Sequence, residues 1–241
     1  MPIAVSREIA DFHGRHPKWR CAAMVDGQFL GAVNVGHRRG HGLLACRPMN
    51  IVVANVKGGV GKTTTAVYLS AAGVARGYEP VLLIDADRQA SSAEWLEERP
   101  VEGVTVVEAP SERTLARAMS GRDGLGVVDA PPGDTRLLQA ATSSADVVII
   151  PTRAAGVELS PAVRTIEMIP NKTPRGVVIC AARLGTNDLD ETIAWWRKEG
   201  IRIWGVVPER VGIAAGPEAR LYREGLEHYD AVLRRALRAG R

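Results

Sequence analysis

The stretch VANVKGGVGKTTTAVYLSAAGVARG, residues 53–77, decides the fold. It joins the end of an apolar run, Asn50 to Asn55, to a glycine-rich loop, and the loop to a segment from Thr63 to Arg76 that reads as a helix. Strand, glycine loop and helix in immediate succession make a phosphate cradle. Backbone N–H groups point inward, glycines take positions where φ is positive or no side chain fits, and the helix N-terminus adds partial positive charge. Gly58, Gly59 and Gly61 supply the loop, Lys62 the cation for the β- and γ-phosphates, and Thr63 the hydroxyl for Mg²⁺, with Val60 and Thr64 completing the expected nucleotide contacts. The ordinary spacing, G-x4-G-K-[ST], calls for glycine at position 56, where Val56 stands. A second lysine, Lys57, opens the loop instead. One nucleotide needs one such lysine, so the other requires a separate role.

Outward from the loop, short apolar runs alternate with amphipathic segments. PVLLID, GVTVVEA, GLGVVDA, ADVVIIP, RGVVICAA and IRIWGVVP read as strands. SERTLARAMS, DTRLLQAATSS, VELSPAVRTIEMI, DLDETIAWWRKEG and a last segment from Glu218 to Arg238 read as helices. Uninterrupted apolar strands separated by helices predict parallel strands covered on both faces, a doubly wound, mostly parallel α/β sheet. In the helix containing Trp195 and Trp196, the spacing predicts one core ring and not a base-stacking platform.

The pattern breaks at residue 49. Residues 1–48 show no sustained period, are rich in Gly, Arg and His, and hold at most a short hairpin around QFLGAVNV. They read either as a flexible leader or mis-assigned start, or as a small appendage; residues 49–241 read as one domain. His13, His16 and Cys21, and His37, His41 and Cys46, offer zinc ligand types, but without a CxxC pair they do not make a zinc motif. The formal net charge of +4 lies wholly in the first 50 residues, where seven basic groups face three acidic ones. The rest is balanced, so any case for nucleic acid must rest on local patches. No apolar run approaches the roughly 18 residues that span a bilayer, and no secretory signal is evident, which predicts a cytoplasmic protein.

KGGVGKTT followed by LLIDADRQASS and VVDAPPG resembles the ParA/MinD family of deviant Walker A ATPases, and its ParA partition branch in particular, across about residues 50–241. The resemblance implies a P-loop NTPase fold, ATP and Mg²⁺ as ligands and slow ATP hydrolysis. It gives Lys57 its role: reaching across a homodimer to the phosphates of the partner's ATP. Two ATP–Mg units face to face concentrate negative charge, and a cation supplied in trans offsets it.

By the same resemblance DADRQ, residues 85–89, forms a first switch and Pro131-Pro132-Gly133 a second; Asp87 orients the attacking water, Asp85 stands near the metal at the strand end, and Asp129 holds the Mg²⁺ shell. Arg88 replaces the family's usual proline, and Ala154 and Ala155 depart from the usual P-x-x-P-S loop. Arg183 and Pro208, after the last strands, are the expected adenine contacts. The ParA branch further implies non-specific DNA binding by the ATP dimer, nucleoid association and a ParB-like adaptor that stimulates hydrolysis. Arg220, Arg223, Arg234, Arg235 and Arg238 near the C-terminus are the expected DNA contacts; from Asp230 onward Arg234, Arg235, Arg238 and Arg241 face that one acid, a local surplus of +3. The alternative, a MinD-like membrane-associated positioning ATPase, needs an insertable C-terminal helix. Here Leu221, Tyr222, Leu226, Tyr229, Leu233 and Leu237 form a stripe suited to packing on the domain, so no membrane partner is expected.

Overall fold

The computed structural model describes residues 22–25, 28–32, 48–121, 123–133, 135–154, 159–218, 221 and 223–241. The chain divides into two units, residues 1–44 and 45–241. The described part of the first is an antiparallel hairpin, β1 (Ala22–Val25) with β2 (Gln28–Ala32). The six histidines and cysteines considered above as zinc ligands lie outside the described residues.

The second unit carries seven strands: β3 (Met49–Val53), β4 (Val81–Asp85), β5 (Val104–Glu108), β6 (Leu125–Asp129), β7 (Val147–Arg153), β8 (Arg175–Ala182) and β9 (Ile203–Pro208). They form one sheet in the order β5-β4-β6-β3-β7-β8-β9, every neighbouring pair parallel. The helices are α1 (Lys62–Ala75), α2 (Ser91–Glu98), α3 (Glu112–Met119), α4 (Thr135–Ser143), α5 (Leu159–Glu167), α6 (Asn187–Lys198), α7 (Val211–Ala214) and α8 (Arg223–Ala239). This is the doubly wound parallel architecture expected from the alternation of strand and helix.

Strand periodicity builds two cores. Ile51 and Val53 of β3 face a cluster made with α1, α2 and α8, while Val52 and Ala54 face a second cluster made with α3, α4, α5 and α6. Apolar side chains on both faces are why these strands read as continuous hydrophobic runs. In α1, Gly73 lies so close to β6 that a Cβ there would meet Leu125 at 2.6 Å. Of the expected stripe, Tyr229, Leu233 and Leu237 are buried core residues of α8 together with Val232 and Ala236, Leu221 and Leu226 are partly buried against the same cluster, and Tyr222 lies outside the described residues. Trp196 is fully buried and Trp195 half-buried beside it, so the pair is a helix face with one core ring.

Two elements differ from expectation. Helix α2 was not foreseen, because its apolar content is limited to Ala93, Trp95 and Leu96 and its cap comes from outside the local sequence. The last helix begins at Arg223 and not at Glu218. Gly216, with φ +58°, and Pro217 interrupt the chain ahead of it in a 3₁₀ turn, Gly216–Glu218, which follows the short α7.

Candidate functional site

Because all seven strands are parallel, their C-terminal ends lie on one edge, and the loops that leave them converge there. The loop after the central strand β3 opens with Asn55. Its side-chain amide donates to the Pro151 carbonyl at 2.8 Å, and its oxygen accepts the Lys57 amide at 2.9 Å. Gly59 and Gly61 adopt φ of +71° and +95°, and a Cβ built on Gly58 or Gly59 meets nothing within 4 Å. Val60 is buried and anchors the loop to the domain. The loop is therefore held at both ends and open over its glycines, the shape needed for a phosphate to approach the backbone.

Lys62, the first residue of α1, is buried, and its Nζ donates to the Lys57 carbonyl at 2.8 Å, across the mouth of the loop. Burial lowers its pKa, and the carboxylates of Asp129 and then Asp87 oppose that shift. Thr63 follows with its side chain half-buried. Lys57 is half-buried as well, and its own residue is set by the hydrogen bonds of the chain around it.

Asp129 ends β6 and is almost wholly buried. Its two carboxylate oxygens have no hydrogen-bond partner among the described residues. Burial raises its pKa to about 7; the Thr63 hydroxyl and Lys62 draw it down, and Asp85 and Asp87 push it up. Thr63 lies near enough to act on the carboxyl without completing a hydrogen bond of good geometry. A buried carboxylate with both oxygens orphaned, a hydroxyl beside it and an open glycine loop fits a divalent cation carried on a phosphate.

Asp85, at the end of β4, occupies a different position. It is fully buried, with Oδ1 accepting the Asp87 amide at 3.0 Å and Oδ2 accepting the amides of Ser92 and Ala93, each at 2.9 Å. It caps α2, whose N-cap position is held by Ala90 in the left-handed region at φ +52° without a side-chain cap. The expectation of Asp85 as a metal neighbour meets an oxygen set already taken up by backbone amides. Asp87 is half-buried, and its Oδ1 accepts the Gln89 amide at 3.1 Å.

The segment expected as the second switch, Pro131-Pro132-Gly133 after β6, is bonded to the glycine loop: the Gly133 amide donates to the Val56 carbonyl at 3.1 Å, and the Val56 amide donates to Thr165 Oγ1 at 3.0 Å. Sequence reasoning missed Asn55, Thr165 and Cys180. Cys180 of β8 is buried beneath the loop, 3.4 Å from where a Cβ on Gly61 would stand, with its pKa raised by burial. The Asn at the strand end was the one legible signal, since such residues hydrogen-bond their own turn. Arg183 and Pro208 lie side by side on the rim: Arg183 Nε donates to Glu209 Oε2 at 2.9 Å, and Pro208 pairs with Ala182.

The expected DNA contacts are scattered in their local engagements. Arg223 pairs with Glu227 at 3.3 Å and Arg234 with Asp230 at 3.5 Å, and Arg76 also pairs with Asp230. The Arg235 guanidinium donates to the Trp204 carbonyl, Arg238 is exposed, and Arg220 lies outside the described residues. The basic surplus counted along the last helix is therefore reduced by contacts within the domain.

The fold and loop define a phosphate-binding-loop α/β protein that takes a nucleotide at the C-terminal edge of its sheet. The model of the CobQ/CobB/MinD/ParA nucleotide binding domain matches residues 51–221, and the chain belongs to that family. It carries a nucleotide-binding ATPase domain of the ParA/MinD type. The maintenance of carboxysome distribution protein A of Gloeobacter kilaueensis is 36% identical over 151 residues, covering 61% of this chain and 68% of that protein. The chromosome partitioning protein ParA of Caulobacter vibrioides is 29% identical over 231 residues, covering 72% of this chain and 86% of that protein. The septum site-determining protein MinD of Pyrococcus horikoshii, solved with Mg-ADP, superposes with a TM-score of 0.66 over 78% of this chain and 96% of its own, at 18% identity.

Proposed function

We propose that this chain is a ParA-type positioning ATPase, which binds ATP–Mg²⁺, closes as a homodimer around it, and in that state holds non-specific DNA until an adaptor triggers hydrolysis. The observation that carries the reading is the two-lysine loop: Lys62 lies across its mouth, where it would serve the chain's own nucleotide, and a second lysine, Lys57, opens the same loop. Bound Mg²⁺ supplies charge neutralisation at the β- and γ-phosphates. Thr63 and Asp129 would hold it, the amides of Gly58 to Gly61 with Thr64 the phosphates, and Arg183 and Pro208 the base rim. Asp87 orients the attacking water, while Asp85 fixes the backbone on which Asp87 sits. The adaptor is ParB-like in role, and the protein works in the cytoplasm on the nucleoid.

A MinD-like membrane role is the second reading. Against it, the apolar side chains of α8 from Tyr229 to Leu237 are buried in the domain and so are not offered to a bilayer surface. The test is fluorescence anisotropy of a labelled duplex of arbitrary sequence, titrated with protein in ATP and in ADP at several salt concentrations. Four to eight phosphate contacts from the two halves of a dimer predict a slope of log K against log salt of about −4 to −7 in ATP only. Replacing Arg234, Arg235 and Arg238 by alanine should flatten it. Equal binding in both nucleotides, or vesicle binding in ATP without DNA binding, overturns the reading.

A further inference from the structure

A cavity of about 430 Å³ opens among the segments that follow β4, β5 and β6, lined by Arg88, Pro110, Ser111, Glu112, Arg113, Arg136 and Leu137. Its three arginines come from three segments: Arg88 from the turn just after Asp87, Arg113 from the first turn of α3, and Arg136 from the first turn of α4, just beyond the second switch. All three are exposed, and none forms an ion pair among the described residues. In this respect they differ from Arg76, Arg183, Arg210, Arg223 and Arg234, each of which has a carboxylate partner. Against three guanidinium groups the cavity sets one acid, Glu112. Three like charges converging on one cavity repel one another, so an anionic occupant relieves that repulsion.

The cavity distinguishes between kinds of anion. Guanidinium groups take phosphate as well as carboxylate, but a compact phosphate site commonly adds free backbone amides, and here the Ser111 amide and hydroxyl at the head of α3 are engaged with Thr114 in a capping box. Glu112 inside the rim also opposes a concentrated dianion. Carboxylates spaced along an extended chain avoid both difficulties, since each meets one planar guanidinium fork. The basic N-terminal segment of this chain carries the wrong sign to fill the cavity.

We infer that Arg88, Arg113 and Arg136 form a docking site for an acidic, extended segment of a partner protein, placed so that one ligand bridges the first and second switch loops. Arg88 adjoins Asp87, so a segment seated here holds the first switch in one position. This coupling rests on the proposed hydrolytic role of Asp87, while the docking itself does not.

The test separates the two. With the nucleotide loop filled by saturating Mg-ADP, a fluorescein-labelled hexaglutamate peptide is titrated by anisotropy at low salt. Saturable binding is expected, weakened tenfold or more in the Arg113→Ala, Arg136→Ala double variant and unchanged in Arg234→Ala, Arg238→Ala. Both arginines of the first variant are exposed, and unchanged Mg-ADP affinity reports that its fold is intact. As a second variant, Arg113→Glu alone should weaken the peptide at least as much as Arg113→Ala. Absence of binding, binding unaffected by the Arg113 and Arg136 changes, or displacement of the peptide by inorganic pyrophosphate at concentrations well below those of free glutamate, which marks a compact phosphate site, overturns the proposal. If the peptide binds as described but leaves ATP hydrolysis unaltered, the docking site stands and its link to Asp87 fails.

Discussion

The amide of Gly133 donates to the carbonyl of Val56 at 3.1 Å, which ties the second switch to the residue immediately before Lys57. The same Val56 peptide is held on its other side by the hydroxyl of Thr165, which in turn donates to the Pro161 carbonyl at 2.9 Å. Where the ordinary glycine of such a loop would stand, a β-branched residue is fixed between a switch and α5. The base of the lysine assigned to the partner's nucleotide is therefore positioned by the loop that follows the Asp129 strand.

Thr165 is fully buried, so Thr165→Val leaves the Val56 amide without its acceptor. The cost is roughly 1 kcal/mol of stability, the scale of a part-buried hydrogen bond lost. Urea denaturation measures it, and a loss below about 0.5 kcal/mol contradicts the clamp.

Asp85 and Asp87 separate by role. Asp85→Ala removes the acceptor of three backbone amides and the cap of α2, with an expected loss of roughly 2–4 kcal/mol. Asp87→Ala removes one local bond and should cost less than about 1 kcal/mol while slowing hydrolysis by on the order of 10² to 10⁴. Thermal melts and steady-state phosphate release, run on both variants, check the pair. Wild-type turnover in Asp87→Ala would move the water-orienting role elsewhere.

Asp129 sets a pH dependence. Its folded pKa of about 7 lies above the value of 3.8 for a free carboxyl, so between those values the folded state holds a proton that the unfolded chain has lost. Folding stability from this group is full below about pH 4, falls as pH rises and levels off above about pH 7, a change of roughly 4 kcal/mol at most. Asp129→Asn lacks this ionisation. In nucleotide-free protein it should be more stable than wild type at pH 8, with the gap closing towards pH 5. Parallel melting curves across that range contradict the assignment.

Much of this was readable from the chain because the signals are local. Lys57 to Thr64 encodes strand end, loop and helix start within a few residues, and the apolar runs of β3, β4, β6, β7 and β8 match strands buried on both faces. What escaped depends on contacts between distant residues. Helix α2 is capped by Asp85 of β4, so its own start, Ala90 followed by two serines, gives no side-chain cap to recognise. Thr165 reaches Val56 across more than a hundred positions, and Cys180 reaches Gly61 from another strand. Charge counting along α8 overstated the free basic surface, because Asp230 engages both Arg76 and Arg234, and Arg235 turns to the Trp204 carbonyl.

The division of labour between the two lysines is the centre of the account, and light scattering on size-exclusion peaks, with saturating Mg-ATP and Mg-ADP, tests it most directly. Lys62→Ala should lose nucleotide binding altogether, since the cation lying across the loop is gone. Lys57→Ala, placed in the slow-hydrolysing Asp87→Ala background, should bind ATP as the monomer with near-parental affinity yet remain monomeric where Asp87→Ala alone shifts to twice the mass. A Lys57→Ala protein that dimerises with ATP as the parent does would contradict the claim that this lysine acts across the interface.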